Sequence, residues 1–185
     1  NYFSSLDENK KPQRWGQTVN IQVSKLQDMR YGENPHQSAA FYGTEGDTGP
    51  SIARAQQFQG KELSFNNILD ADAALSTVLE FGDIATVAIK HNNPCGVATS
   101  KTSLVDSFRK AKASDPVSIF GGVLAFNRPV DEETAKELKE IFLEIVIAPS
   151  FTPEAKAVLS SPKRLLNIRL LEVGMNEPEG DGYDL

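Results

Sequence analysis

The sequence has 185 residues, of which 39% are hydrophobic and 24% charged, a composition typical of a globular protein with one sizeable core. Its net charge of −6 is opposite to that of a general nucleic-acid binder, so we expect no nucleic-acid partner. The lone cysteine excludes an internal disulfide and fits a reducing, cytoplasmic location. No apolar run reaches the roughly 18 residues that a membrane helix needs, so we expect no membrane association.

The first third of the chain is polar and predicts little regular structure. Residues 17–23 alternate between polar and apolar side chains, which predicts a short strand. Residues 30–62 are rich in Gly, Pro, Asn and Gln. That composition predicts loops, interrupted by a second short strand near Ala39–Tyr42.

From about residue 67 onward, helical and extended patterns alternate. The apolar spacing predicts helices over residues 71–81, 103–113 and 131–142 and from residue 153, with Asp70, Asp131 and Thr152 as N-caps of the first, third and fourth. Apolar runs predict strands over residues 84–89, 117–126, 144–148 and 164–171, and residues 91–96 are expected to form a loop. This alternation predicts an α/β fold with a mostly parallel sheet.

The segment from Lys90 to Gly96 is the first candidate site. It follows a buried strand, and ligands of open α/β sheets bind beyond the carboxyl ends of strands. Lys90 can donate a proton or stabilise negative charge, and His91 can accept a proton near neutral pH. A surface Lys-His pair beside a turn is an equally good explanation. For Cys95, packing is a simpler role than nucleophilic attack.

Other polar residues are candidates for binding, each with a purely structural alternative. Arg30, Tyr31 and His36 share one loop, in which an arginine suits a phosphate and a tyrosine suits a flat ring, although a plain polar loop is favoured. Asn67 can bind an amide-bearing ligand or hydrogen-bond at the entry to a helix. Asp115 can bind a ligand hydroxyl or amide, or act as a turn residue before proline. With two histidines and one cysteine, the chain has few metal ligands, so no metal is expected.

Five segments, in this order, resemble the transformylase part of the bifunctional AICAR transformylase/IMP cyclohydrolase family of bacterial purine biosynthesis. They are RYGENPHQ (30–37), GKELSFNNILD (60–70), KHNNPCGVA (90–98), DPVSIFGG (115–122) and IFLEIVIAP (141–149). The resemblance extends from about Leu26 to the C-terminus. Several long blocks in a fixed order are far more specific than any single short motif.

The resemblance implies that a formyl group passes from the co-substrate 10-formyltetrahydrofolate to the 5-amino group of AICAR, without a catalytic metal. It also implies a homodimer with active sites at the subunit interface. The implied fold is cytidine-deaminase-like, with α/β/α layers. The residues that the resemblance assigns are Lys90 and His91 for proton transfer, and Arg30, Tyr31, His36, Asn67 and Asp115 for substrate binding.

The resemblance further predicts how the chain is divided. Residues 1–25 are expected to link it to a preceding cyclohydrolase domain, and residues 26–171 to form the first transformylase subdomain. Residues 172–185 are expected to be an acidic linker to a second subdomain outside this chain, so we expect a fragment with little turnover of its own. The alternatives are a non-catalytic nucleotide-binding module and a dimerisation fragment, which would expose a large apolar patch.

Overall fold

A computed structural model of the chain describes residues 21–46, 48–161 and 165–174. The strands of these residues are β1 (Val23–Met29), β2 (Ala39–Thr44), β3 (Gln56–Gln59), β4 (Ile84–Lys90), β5 (Asn93–Ser100), β6 (Val123–Phe126), β7 (Ile145–Ala148) and β8 (Arg169–Glu172). The helices are α1 (Phe65–Leu79), α2 (Leu104–Ser114), α3 (Glu132–Leu138) and α4 (Pro153–Ser160). None of the helices in these ranges is long and apolar enough to cross a membrane.

The strands form a two-stranded ribbon and a six-stranded sheet. β1 and β2 pair antiparallel in the ribbon, and the sheet has the order β3-β8-β7-β6-β4-β5. Only the pairs β6–β7 and β7–β8 are parallel, whereas β3–β8, β4–β5 and β4–β6 are antiparallel. The α/β class is therefore confirmed, but the prediction of a mostly parallel sheet is wrong because the sheet is mixed.

The mixed sheet results from the segment that was expected to be a loop. His91 and Asn92 form a two-residue turn, and the chain returns directly as β5, antiparallel to β4. Helix α2 then carries the chain to the other side of β4, so β6 runs in the same direction as β5 and opposite to β4. One short hairpin thus reverses the direction expected for β6 and the strands that follow it.

Helices cover both faces of the six-stranded sheet. Alternate residues of β4 point to opposite faces, as in any strand: Val87 and Ile89 join the apolar cluster beneath α1, whereas Ala88 joins the cluster of α2, α3 and α4. Phe108 of α2 and Phe126 of β6 are fully buried in the second cluster. The sheet is therefore the middle layer of three, which leaves its strand ends as the places where loops can build a site.

Several predicted boundaries differ from the structure for local reasons. Helix α1 begins at Phe65 rather than at residue 71, because Ser64 and Asn67 cap it reciprocally, so Asp70 is not its N-cap. Residues 116–121 form turns instead of the start of a strand, and Gly121 adopts a φ of 72°, which favours glycine. The caps Asp131 and Thr152 are confirmed.

The strands predicted near residues 39–42 and over residues 144–148 and 164–171 are confirmed with shorter or shifted limits, whereas the one predicted over residues 17–23 is not confirmed, because β1 begins only at Val23. The strand predicted near residues 39–42 is β2. The strand predicted over residues 164–171 begins only at Arg169. Residues 17–20 and the end of the acidic tail, residues 175–185, lie outside the described ranges.

Candidate active site at one edge of the sheet

Several predicted site residues lie on the side of the sheet where β4 ends, here called the candidate edge; the term refers to this set of strand ends and not to an outermost strand. Lys90 ends β4 and pairs with Asn93, the first residue of β5. β6 is antiparallel to β4, and β7 and β8 are parallel to β6, so these three strands also begin at the candidate edge. β3 is antiparallel to β8 and ends there. The loops that join these strand ends therefore share one side of the molecule.

The turn between β4 and β5 holds His91 in an uncommon backbone conformation. His91 and Asn92 have φ values of 51° and 60°, the left-handed region needed by a tight two-residue hairpin but costly for residues other than glycine. The Asn93 side-chain amide donates to the His91 carbonyl oxygen at 2.8 Å. The imidazole of His91 belongs to an exposed residue, so it is accessible to a ligand.

Asp70 fixes this turn from helix α1. Its Oδ1 atom accepts a hydrogen bond from the Asn92 backbone N–H at 2.7 Å. Sequence reasoning assigned Asp70 to a helix cap and so missed this contact, although Asp70 ends the second of the segments that carry the family resemblance. An uncommon backbone conformation persists only where its surroundings hold it, and here the Asp70 carboxylate provides that restraint.

Replacing Asp70 with alanine is expected to destabilise the chain by about 1 kcal/mol or more relative to Asp72→Ala, because the first loses a hydrogen bond to the turn and the second removes a partly desolvated carboxylate. Both substitutions replace an aspartate with alanine inside the same helix. The two variants therefore gain the same helix propensity, and this gain drops out of the difference between their stabilities. Asp70→Asn keeps an oxygen acceptor and is expected to lie close to wild type. Urea unfolding measures all three, and equal stabilities of Asp70→Ala and Asp72→Ala would contradict the restraint.

Lys90 and Asp115 lie near each other beside the turns before β6. The Lys90 ammonium donates to the Phe120 carbonyl oxygen at 2.8 Å, which ties β4 to the turns before β6. Oδ1 of Asp115 accepts from the backbone N–H groups of Ser118 and Val117 at 2.8 and 3.1 Å. Hydrogen bonds from Ser118 and Val117, with the positive charge of Lys90, hold the pKa of Asp115 below its usual range. Asp115 therefore has the turn role that the sequence left open, and it also lies near Lys90.

Acid is expected to loosen the turn that Asp115 organises. Because the folded-state pKa of Asp115 is lowered, its contribution is complete above the unfolded value of about 3.9 and is lost as the pH falls through the lower folded value. Amide NMR signals of Ser118 and Val117, followed from neutral to acidic pH, should shift together below about pH 4. The Asp115→Asn variant should lack that transition, and its persistence in the variant would assign the titration to another group.

Cys95 packs instead of taking part in the polar cluster. Its thiol is partly buried beside β4, and its Sγ atom lies 3.5 Å from the Ala88 carbonyl oxygen. Burial raises the pKa of the Cys95 thiol, and the negative charge of Asp115 raises it further. The thiol is therefore protonated at neutral pH, which agrees with the packing role and not with a nucleophile.

A pocket of about 400 Å³ opens at the same edge. Its lining includes three basic side chains, Arg30, Lys61 and Arg169, together with Tyr31, Glu62 and Ser64. Basic residues outnumber acidic ones in this lining, so the pocket suits an anionic ligand. Arg30 and Tyr31 are thus brought together in one pocket, as a shared binding role requires.

His36 and Asn67 have more local positions. His36 is exposed in a loop that is closed by Gln37, which accepts from Gly32 N–H and Asn34 N–H at 2.9 and 2.7 Å. It is not among the residues that line the pocket. Oδ1 of Asn67 accepts from the Ser64 N–H at 3.1 Å, so the helix-entry role that the sequence left open for Asn67 is present in the fold.

Helix α1 connects the pocket with the catalytic candidates. Ser64 lines the pocket, Asn67 caps the helix and Asp70 holds the His91–Asn92 turn. Residues spaced by three lie on neighbouring positions of one helix face, and six residues span about 9 Å along the axis. The pocket and the turn are therefore linked through two positions of one helix, about 9 Å apart along its axis.

Among the residues that the structure describes, no group of three or more His, Cys, Asp or Glu side chains could hold a metal ion. The candidate site thus comprises a pocket with a largely basic lining and the adjacent residues Lys90 and His91 at the end of β4.

Comparison with known proteins shows the family of the chain. Residues 1–185 match the family described as the AICARFT/IMPCHase bienzyme. The chain therefore belongs to the AICARFT/IMPCHase bienzyme family, as the five sequence segments predicted.

Curated relatives named bifunctional purine biosynthesis protein PurH give the same result. The one from Halalkalibacterium halodurans is 58% identical over 161 residues, which cover 87% of this chain and 31% of the relative. Those from Oceanobacillus iheyensis and Acetivibrio thermocellus are 50% and 49% identical, covering 94% and 91% of this chain and 32% of each relative. The chain thus spans about a third of the length of these relatives.

Proposed function

We propose that this chain forms part of the active site of a phosphoribosylaminoimidazolecarboxamide formyltransferase, which transfers a formyl group from 10-formyltetrahydrofolate to AICAR in purine biosynthesis. Family membership over the whole chain supports the reaction class. The observation that carries the proposal is that Lys90 and His91, at the end of β4, lie on the same side of the sheet as the basic pocket lined by Arg30 and Tyr31.

The chemistry of formyl transfer explains why a base and a cation are needed together. The amine of AICAR is a weak nucleophile because it is attached to an electron-poor imidazole that carries a carboxamide. Its nitrogen must lose a proton as it bonds to the formyl carbon, and the departing folate nitrogen must gain one. We assign proton removal, through the neighbouring carboxamide, to His91. Stabilisation of the tetrahedral oxyanion and return of the proton are assigned to Lys90.

The pocket supplies binding in the same proposal. Arg30 offers a planar fork of donors that suits a phosphate, and Tyr31 offers a ring for stacking or a hydroxyl for a hydrogen bond. Asn67 and Asp115 are proposed to line the nucleotide site from the start of α1 and from the turns before β6. His36 lies outside the pocket lining and is assigned only to the loop that carries Arg30.

The proposal extends to the organisation of the longer family protein. Residues 26–171 are proposed to be the first transformylase subdomain, with a cytidine-deaminase-like fold, and residues 1–25 and 172–185 to connect it to the rest. The active form is proposed to be a homodimer. The mixed sheet with helices on both faces is compatible with that fold, and the relatives are about three times as long as the matched segment.

A second candidate function, a dimerisation or docking module, is favoured by one observation. Val117, Phe120 and Phe142 are 82%, 58% and 42% exposed at the candidate edge, and the two phenylalanine rings lie 5.4 Å apart. Exposed apolar clusters often mark interaction sites. The His91→Ala substitution distinguishes the two functions. It would strongly reduce formyl transfer but would leave the association of a docking module with its partner unchanged.

Formyl transfer tests the proposal in a protein of full family length. The matching segment of the Halalkalibacterium halodurans relative is replaced by this chain to give the exchange protein, and tetrahydrofolate formation from 10-formyltetrahydrofolate is followed with and without AICAR. We expect AICAR-dependent turnover by the exchange protein and little by the isolated 185-residue chain. A folded exchange protein without turnover, beside an active parent, would contradict the proposal.

A further inference from the structure

Arg169, the first residue of β8, lines the basic pocket and also makes a set of contacts to which the proposed chemistry assigns no role. Its side chain is only 13% exposed. The Nε atom donates to the carbonyl oxygens of Lys61 and Glu62 at 3.1 and 3.3 Å, and Nη1 donates to the Glu144 carboxylate at 2.8 Å. One guanidinium thus joins the start of β8, the loop after β3 and the residue before β7.

The backbone of that loop lies directly against Arg169. Gly60 has a φ of 90°, and a Cβ atom there would lie 2.7 Å from the Ile168 carbonyl oxygen and 2.8 Å from the Arg169 Cα. The Gln57 side-chain amide also donates to the Lys61 carbonyl oxygen, at 2.7 Å. The loop therefore has little freedom as long as these donors are in place.

The same loop forms a wall of the basic pocket. Lys61 and Glu62 line the pocket together with Arg30 and Tyr31, which come from a distant part of the sequence. The carbonyl groups that Arg169 holds belong to these two wall residues. A shift of the loop backbone would consequently change the distance between Lys61 and the opposite wall.

We propose that Arg169 is a positioning residue that sets the affinity of the pocket for the nucleotide by fixing the backbone of Lys61 and Glu62. The inference rests on the proposed function and deepens it. An arginine is required because its planar fork can donate to the loop carbonyls and to Glu144 at the same time. The three donors of a lysine ammonium share one nitrogen atom, so they cannot take the separate positions of the Nε and Nη1 atoms.

The test compares Arg169→Lys and Arg169→Met with a matched control in the exchange protein. We expect Arg169→Lys to raise KM for AICAR about tenfold, with kcat and KM for 10-formyltetrahydrofolate within about twofold of wild type. Arg169→Met should raise KM for AICAR further. The control is Arg128→Lys, since Arg128 also donates to two carbonyl oxygens, those of Asn127 and Gly82, but at the opposite edge of the sheet.

The outcomes separate positioning from general stability. A selective rise in KM for AICAR in Arg169→Lys but not in Arg128→Lys, at similar melting temperatures, supports the inference. An unchanged KM for AICAR, or a fall in kcat alone, would overturn it. If the proposed function itself is wrong, the wild-type exchange protein will show no turnover, which is distinct from turnover with an unaltered KM. Should Arg169→Met fail to fold, Arg169→Lys still decides the question.

Discussion

Replacing His91 with alanine is expected to lower kcat for formyl transfer by about 10²–10⁴-fold, the usual contribution of a positioned general base. KM for AICAR should change little, because the binding groups of the pocket are carried by other loops. The experiment uses the exchange protein and follows tetrahydrofolate formation. Turnover near wild type would move the chemistry away from this turn while leaving family membership intact.

His91→Asn is the control for backbone effects. His91 has a φ of 51°, a conformation that asparagine adopts more readily than alanine. We therefore expect His91→Asn to keep the stability of the hairpin but to lose activity as fully as His91→Ala. Recovery of activity in His91→Asn would show that alanine acts through the turn conformation and not through the missing imidazole.

Lys90→Met extends the same test to the second member of the pair. It removes the ammonium group and its hydrogen bond to the Phe120 carbonyl oxygen, so the proposed oxyanion would lose its cation. A loss of kcat comparable to that of His91→Ala is expected. Lys110→Met is a matched control, because the ion pair of Lys110 with Asp106 lies within the exposed surface of α2. Similar losses from both methionine variants would contradict a specific role for Lys90.

The largest effect on stability is expected from Gly96→Ala. A Cβ atom at Gly96 would lie 2.3 Å from the Ala111 carbonyl oxygen, which is backbone of α2. Helix α2 cannot withdraw easily, because Phe108 and Ala111 are buried in the core. We therefore expect a loss of about 3 kcal/mol or more, the upper range for overpacking, and a fall in melting temperature of roughly 6–12 °C.

Gly82→Ala provides the matched control for this substitution. A Cβ atom at Gly82 would meet no atom within 4 Å, so a change of less than about 0.5 kcal/mol is expected, as for other surface substitutions. Urea unfolding of the isolated chain measures both variants. If Gly96→Ala were as stable as Gly82→Ala, the close packing of β5 on α2 would be contradicted.

Much of the core could be predicted from local pattern. The apolar run that forms β4 and the helical spacing of α2 predicted their elements within a residue or two. The sheet direction could not be predicted, because the Asn and Pro residues after Lys90 are typical of loops. Pro94 is tolerated in β5 because β5 is the outermost strand of the sheet and has a neighbouring strand on one side only, so that a missing N–H donor costs little. The position of β5 in the sheet therefore decides whether proline is tolerated there, and the sequence around Pro94 does not reveal that position.

The residues of the candidate site also fall into two groups, those that local sequence could predict and those that it could not. Lys90, His91 and Arg30 were predicted because reactive or phosphate-binding residue types follow strands or lie in polar loops. Asp70 and Arg169 were missed, because their partners Asn92 and Lys61 lie 22 and 108 positions away in the sequence. Such contacts depend on how the sheet and α1 pack, which no local pattern encodes.

The proposed function requires the basic pocket and the Lys-His turn to form one nucleotide site at the candidate edge. Hydrogen exchange of the exchange protein, measured by mass spectrometry with and without saturating AICAR, tests it most directly. We expect slower exchange in peptides that cover residues 30–37, 60–67, 90–96 and 115–122, and unchanged exchange in those covering residues 81–86 and 126–131 at the opposite edge. Protection at the opposite edge, or none at the candidate edge when AICAR is bound, would contradict it.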